Sequence, residues 1–178
     1  MARIIITGSP GTGKSVIAES LALALGHRLI DIKKVVRAKK ILGKNREVDV
    51  KKLSKALGFL KGRRDFIVEG HLACEARIPS DFIFVLRTEP KILEKRLAKR
   101  GYGRKKMDEN LLAEMLDYCT QRARAVYRKG VLELDTSRRS VPSCVRIMMD
   151  AIKRKKKKLD EVNHSKTLME YLRLGGSK

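Results

Sequence analysis

Eight consecutive residues near the amino terminus have the types and order that hold a triphosphate. Gly8-Ser9-Pro10-Gly11-Thr12-Gly13-Lys14-Ser15 fits the phosphate-loop pattern G-x-x-x-x-G-K-[ST] in full. Glycines let the backbone bend so that successive N–H groups converge on phosphate oxygens. A helix beginning near Lys14 adds the positive end of its dipole. Gly11, Gly13, Lys14, Ser15 and Val16 are therefore the residues expected to bind nucleotide. The Lys14 ammonium reaches the β- and γ-phosphates, and the Ser15 hydroxyl ligates Mg²⁺. A nucleoside triphosphate with Mg²⁺ is the implied ligand.

Other groups with chemical potential lie further along. Glu69 closes an apolar run and His71 follows it. At a strand end beside the phosphate loop, the carboxylate of Glu69 reaches a metal-bound water, or else is a surface acid. His71 there positions a water, or else is a satisfied structural histidine. Arg96 and Arg100 are one helical turn apart and share a face. They grip a ligand, or are two solvated cations on a basic helix.

The elements that must hold these residues follow from periodicity. Residues 2–7, 27–31, 65–69, 81–87 and 131–135 read as five short strands rich in apolar and β-branched residues. Residues 16–25 suit a helix that Gly26 ends. Residues 32–62 are mostly helical and polar. Thr88 is an expected N-cap, with Pro90 just inside a helix to about Arg100. Residues 101–107 read as a basic loop, and Asp108 is expected to cap one long helix over 109–128. Val141 opens a further helix. Strands separated by helices imply an α/β fold, a five-stranded parallel sheet with helices on both faces and right-handed crossovers.

Several runs resemble one family. The loop Gly8–Ser15, Glu69-Gly70-His71, Phe84–Thr88, Arg96–Tyr102 and Lys106–Asn110 are similar to the archaeal-type adenylate kinases and ribosome-assembly ATPases. These belong to the phosphate-loop nucleoside monophosphate kinase superfamily. The resemblance covers roughly residues 1–152. It implies an adenylate kinase-like fold with a monophosphate-binding flap over about 30–53 and a lid over about 99–109. It implies Arg96 against the adenine ring and Arg100 on ATP phosphates, with Lys14, His71 and Arg100 catalytic. Asp31, Lys34 and Arg37 occupy the place where such kinases grip the acceptor, AMP, through an Asp-x-x-Arg pair. Lys34 replaces that arginine and lacks its bidentate fork. Ser15 and Glu69 become the metal pair, with Glu69 where relatives commonly have Asp. The activity implied is ATP:AMP phosphotransfer with ATPase activity. The implied setting is small-subunit ribosome maturation, with platform ribosomal protein number eleven and ribosomal RNA as partners.

Charge supports polyanion ligands. Lys and Arg number 42 against 20 Asp and Glu, a net +22. Residues 33–64 carry a surplus of eleven and residues 87–106 a surplus of seven, in or beside the two flaps. A separate run, Lys153 to Lys158, lies in a C-terminal extension, 153–178. It contacts RNA phosphates or is a solvated helix face; no aromatic interleaves with it to stack bases. Residues 163–174 suit an amphipathic turn or a partner-binding helix. Scarce Asn and Gln, four in all, hint at a hot-living source. No apolar run approaches the roughly 18 residues of a membrane span, and no leader is evident, so a cytoplasmic protein is expected. Three scattered cysteines read as buried hydrophobes. Two other functions remain open: phosphorylation of another small acceptor such as shikimate, with Asp31 near its hydroxyl, and an ATP-gated binding switch.

Overall fold

A computed structural model describes residues 2–43 and 47–173. The centre of the expected flap (44–46) and the end of the extension (174–178) lie outside the described residues. Strands β1 (Arg3–Gly8), β2 (Arg28–Asp31), β3 (Phe66–Glu69), β4 (Phe82–Arg87) and β5 (Val131–Asp135) form one parallel sheet in the order β2-β3-β1-β4-β5. The expected α/β fold is borne out. The register sets Ile6 beside both Glu69 and Phe84, and Arg87 beside Asp135, so the carboxyl ends of the strands share one edge.

Side chains alternate across the pleat. Ile4 and Ile6 pack toward helices α1 (Lys14–Leu25) and α7 (Val141–Lys153), on Ile17, Leu21, Val145 and Met148. Ile5 faces the opposite layer. That layer holds α2 (Ile32–Ala38), α3 (Val50–Ala56), two short 3₁₀ turns (Leu57–Leu60 and His71–Cys74) and α6 (Tyr118–Tyr127). All three isoleucines are fully buried, each stabilising by about 1.5–3 kcal/mol. A third, smaller cluster joins α4 (Pro90–Lys99) to α5 (Arg104–Met115) through Leu93, Leu97, Met107, Leu111 and Met115. Helix α8 (Ser165–Arg173), in the extension, packs Leu168 and Tyr171 on that cluster.

Three boundaries differ from the sequence reading. Thr88 does not cap α4, which starts at Pro90 after Glu89. Buried at the strand end, its hydroxyl lies 2.9 Å from Thr136 Oγ1 and its N–H donates to Glu114 Oε1 at 3.0 Å. Satisfying buried polar groups outweighs a helix cap. The expected loop 101–107 is helical from Arg104, with Asp108 paired to Arg104 at 3.4 Å rather than capping. The expected helix 109–128 is two helices, broken where Asp117 takes φ 54°. All three cysteines are buried. No helix among the described residues is long and apolar enough to cross a membrane.

Candidate active site

The phosphate loop leaves β1 in the middle of the sheet edge and feeds α1. Two glycines there are dictated by space. A Cβ on Gly8 (φ 135°) would lie 2.3 Å from the Leu86 carbonyl oxygen, and one on Gly11 (φ 91°) 2.7 Å from Leu93 Cδ1. The loop is thus clamped between β4 and α4. Behind it, Ser9 Oγ donates to Glu114 Oε2 at 2.6 Å. The other oxygen of Glu114 accepts from Arg87 Nε at 2.8 Å. Arg87 is 1% exposed and also bonds Glu133 at 2.5 Å and Asp117. Burial alone would raise the Glu114 pKa. His164, Arg87 and Ser9 outweigh it and hold the carboxyl below the ordinary carboxylate range.

Three adjoining cavities open along this edge. The central one, about 470 Å³, is lined by Gly11, Gly13, Lys14, Ser15 and Val16. Lys33, Arg100 and Lys106 add a cationic wall, with His71 among them. A second, about 480 Å³, shares Gly11, Gly13, Val16 and Arg100 with it and adds Arg96, Thr136 and Arg139. A third, about 670 Å³, shares Lys33 and His71 with the central one. Arg37, Val48, Leu72 and Tyr118 line its far wall.

Lys14 Nζ donates to Ser9 O at 2.9 Å, and burial pushes its pKa down to about 8. Ser15 Oγ donates to Glu69 Oε1 at 3.3 Å. Glu69 is 6% exposed; burial first, then repulsion from Asp31, raises its carboxyl above the usual range, with Lys14 and Ser15 opposing. His71 opens to the cavity by surface area, yet the pocket walls and the charges of Lys14, Lys33 and Lys106 push its pKa down to about 4. Its imidazole is neutral at pH 7. A hydroxyl and a carboxylate this close are hard oxygen donors of the kind Mg²⁺ takes alongside phosphate and water. No group of three or more His, Cys, Asp or Glu that could cage a metal exists among the described residues. A sparse pair fits Mg²⁺, which keeps several waters, better than an all-protein cage.

Of the residues expected from sequence, Gly11, Gly13, Lys14, Ser15, Val16, His71, Arg96 and Arg100 converge on the first two cavities, and Arg37 lines the third. Glu69 stands just behind Ser15. Asp31 and Lys34 line none of the three. The Asp31 carboxylate caps α2, accepting from Lys33 N at 2.7 Å. On α2, Lys33 and Arg37 share a face at i, i+4 spacing, and Lys33 is the lysine that borders both cavities. That spacing was available in the sequence. Sequence reasoning also missed Tyr102, whose ring carries Lys106 Nζ at 4.8 Å, and Arg139.

This sheet order and loop define a phosphate-loop nucleotide-binding protein with a kinase-like fold. Solved structures agree on the fold. A shikimate kinase from Acinetobacter baumannii in complex with shikimate aligns with TM-score 0.65 at 17% identity, over 88% of this chain and 95% of that one. A sugar kinase from Janibacter sp. aligns with TM-score 0.59 at 15% identity, over 85% and 94%. Residues 4–117 match the family model described as an AAA domain. A Methanocaldococcus jannaschii protein named "Putative adenylate kinase" is 36% identical over 97% of this chain and 98% of its own length. One of the same name from Thermococcus kodakarensis is 33% identical over 96% and 99%. The chain belongs to this phosphate-loop family of archaeal adenylate kinase-like proteins.

Proposed function

We propose that the protein is a Mg²⁺-dependent ATP:AMP phosphotransferase with ATPase activity. The observation that carries this reading is the row of three cavities on one sheet edge. A donor cleft at Arg96 and Thr136 joins a phosphate cavity at Lys14, which joins an acceptor cavity at Arg37 and Tyr118. A site for hydrolysis alone has no need of the third. Lys14, Lys33, Arg100 and Lys106 surround the place where phosphates would meet, and phosphoryl transfer is mostly positioning and charge neutralisation.

In this reading Lys14 and the loop backbone hold the donor phosphates, and Arg96 faces the adenine. Arg100 steadies the transferred group, and Lys33 with Arg37 takes the AMP phosphate. Neutral His71 accepts a hydrogen bond from water when no acceptor is bound. Ser15 and Glu69 would hold Mg²⁺, which when bound supplies charge neutralisation at the phosphate oxygens. AMP is favoured over a hydroxyl acceptor because Asp31, the group such an acceptor would use, is engaged in capping α2. The apolar wall of Val48, Leu72 and Tyr118 suits a nucleobase. Lys33→Ala should raise the AMP KM about tenfold, as loss of a charge-assisted phosphate contact does, while Lys34→Ala should leave it within about twofold. Equal effects of the two would contradict the placement of the acceptor.

The proposed setting, small-subunit ribosome maturation with a platform ribosomal protein and ribosomal RNA, rests on the family resemblance. A basic groove of about 960 Å³ at the amino ends of β4 and β5 supports its RNA part, with Lys129, Lys153, Lys155, Lys156 and Lys157 around Phe82 and Ile152. Arg154 and Lys156 are paired with Asp150, and Lys158 with Glu161. Neutralising Lys153, Lys155 and Lys157 should flatten the slope of log affinity for single-stranded RNA against log salt by roughly two units, at about 0.7 per phosphate contact. An unchanged slope would remove the groove from the RNA surface.

A further inference from the structure

The extension returns to the body of the protein after α7 and reaches the donor cleft. β5 is an edge strand of the sheet, and Asp160 N donates to the Glu133 carbonyl on it at 3.1 Å. Asp135 N donates in turn to Asp160 Oδ2 at 2.8 Å. The Asp160 carboxylate then clamps Arg139. Arg139 Nη2 donates to Oδ1 at 3.0 Å, and Nη1 pairs with Oδ2. Nη1 also donates to the Asp135 carbonyl at 3.1 Å. Four residues on, buried His164 brings Nε2 to 3.8 Å from Glu114, the carboxylate that holds Ser9 of the phosphate loop. Helix α8 then seats on the α4–α5 cluster.

A strap of this kind could rest anywhere on the surface and still add stability. This one fixes the side chain of Arg139, a residue that lines the donor cleft together with Thr136, Arg96 and Arg100. Arginine is suited to such a place, since its planar fork stacks on a base or donates to ribose and phosphate oxygens, but only when its orientation is held. Its long side chain otherwise loses about 2 kcal/mol of rotamer entropy on being fixed. The clamp removes that cost before ligand arrives, which is preorganisation.

We propose that Asp160 is a positioning residue for the donor nucleotide: it holds Arg139 on the wall of the donor cleft, so the C-terminal extension is a working part of the nucleotide site. This rests on the reading of ATP as donor. In the full-length protein, Asp160→Ala should weaken binding of a fluorescent N-methylanthraniloyl ATP about tenfold, the size expected for loss of a charge-assisted contact. The ATP KM should rise in parallel, with kcat within about twofold and the AMP KM unchanged. Asp160→Glu should recover part of the affinity. Arg139→Ala should show the same loss, and the double variant no more than Arg139→Ala alone. If Asp160→Ala does not fold, Arg139→Lys keeps a charge beside Asp160 but loses the fork, and should weaken the analogue alike. A lower melting temperature with unchanged ATP affinity would overturn the proposal, as would additive losses in the double variant. Failure of the wild-type protein to bind the analogue would instead overturn the donor reading itself.

Discussion

Glu69 carries a charge where burial opposes it. Its carboxyl is raised above the usual range by burial and by Asp31. Between the ordinary carboxylate value and this raised one, the native state binds more protons than the unfolded chain. Stability therefore falls as pH rises through that window. Glu69→Gln keeps an acceptor for Ser15 and removes the penalty. The variant should melt at a higher temperature than wild type at pH 7, with the gain shrinking toward pH 4. Its metal-dependent turnover should drop by about 10–100-fold, the usual cost of disturbing groups around a metal. A variant that loses turnover and stability together would contradict this account of Glu69. His71 runs the other way. With its pKa pushed to about 4, it stays neutral while an unfolded histidine titrates near 6.5. Its contribution to stability is full above 6.5 and is lost as pH falls toward 4, and the pH–rate profile should show no acid limb near 6.5 from this group. His71→Gly should slow ATP hydrolysis by about 10²-fold and change ATP affinity far less. Equal losses in both, with a lower melting temperature, would assign it a structural role.

At the scale of elements, α5 ties the α4–α5 hairpin to the phosphate loop. Glu114 joins Ser9 of the loop, Thr88 at the end of β4 and the buried Arg87. Truncating it leaves Ser9 Oγ, Thr88 N–H and Arg87 Nε without their buried acceptor, although Arg87 keeps Glu133 and Asp117. Each unsatisfied buried group costs about 1–3 kcal/mol. Glu114→Ala should show a loss of that order in guanidinium chloride denaturation, and a loss under about 1 kcal/mol would mean the network is not coupled as described. Little of this was legible in the sequence. Glu114 sits among Leu111, Leu112 and Met115 with no pattern that marks it as the buried acid. Arg87 ends an apolar strand, which reads as a solvated strand end until β5 and α5 close over it. The break at Asp117 was hidden for a related reason: a non-glycine residue takes the left-handed conformation there, beside its ion pair to Arg87. The central strands β1, β3 and β4, by contrast, were readable because each carries a continuous apolar run, as burial on both faces demands.

Across the whole molecule, the phosphate loop was legible because backbone geometry and charge fix nearly every residue in it. The acceptor side was harder. Family spacing pointed to Lys34, whereas Lys33 is the lysine of α2 that lines the cavities, and the Asp31 carboxylate caps that helix. The extension was the least legible region, since a basic run followed by a short amphipathic segment reads as a tail. Its docking depends on Asp160 meeting Arg139 and on Leu168 and Tyr171 meeting α5, contacts far apart in sequence. The three adjoining cavities make transfer between two nucleotides the central claim. Its most direct test is the product stoichiometry of a limited amount of ATP with Mg²⁺, with and without excess AMP, read by phosphorus NMR. With AMP present, two ADP should form for each ATP consumed, with little inorganic phosphate; without AMP, ADP and phosphate should appear slowly in equal amounts. One ADP and one phosphate per ATP at every AMP concentration would contradict the claim and leave an ATPase or nucleotide switch in its place.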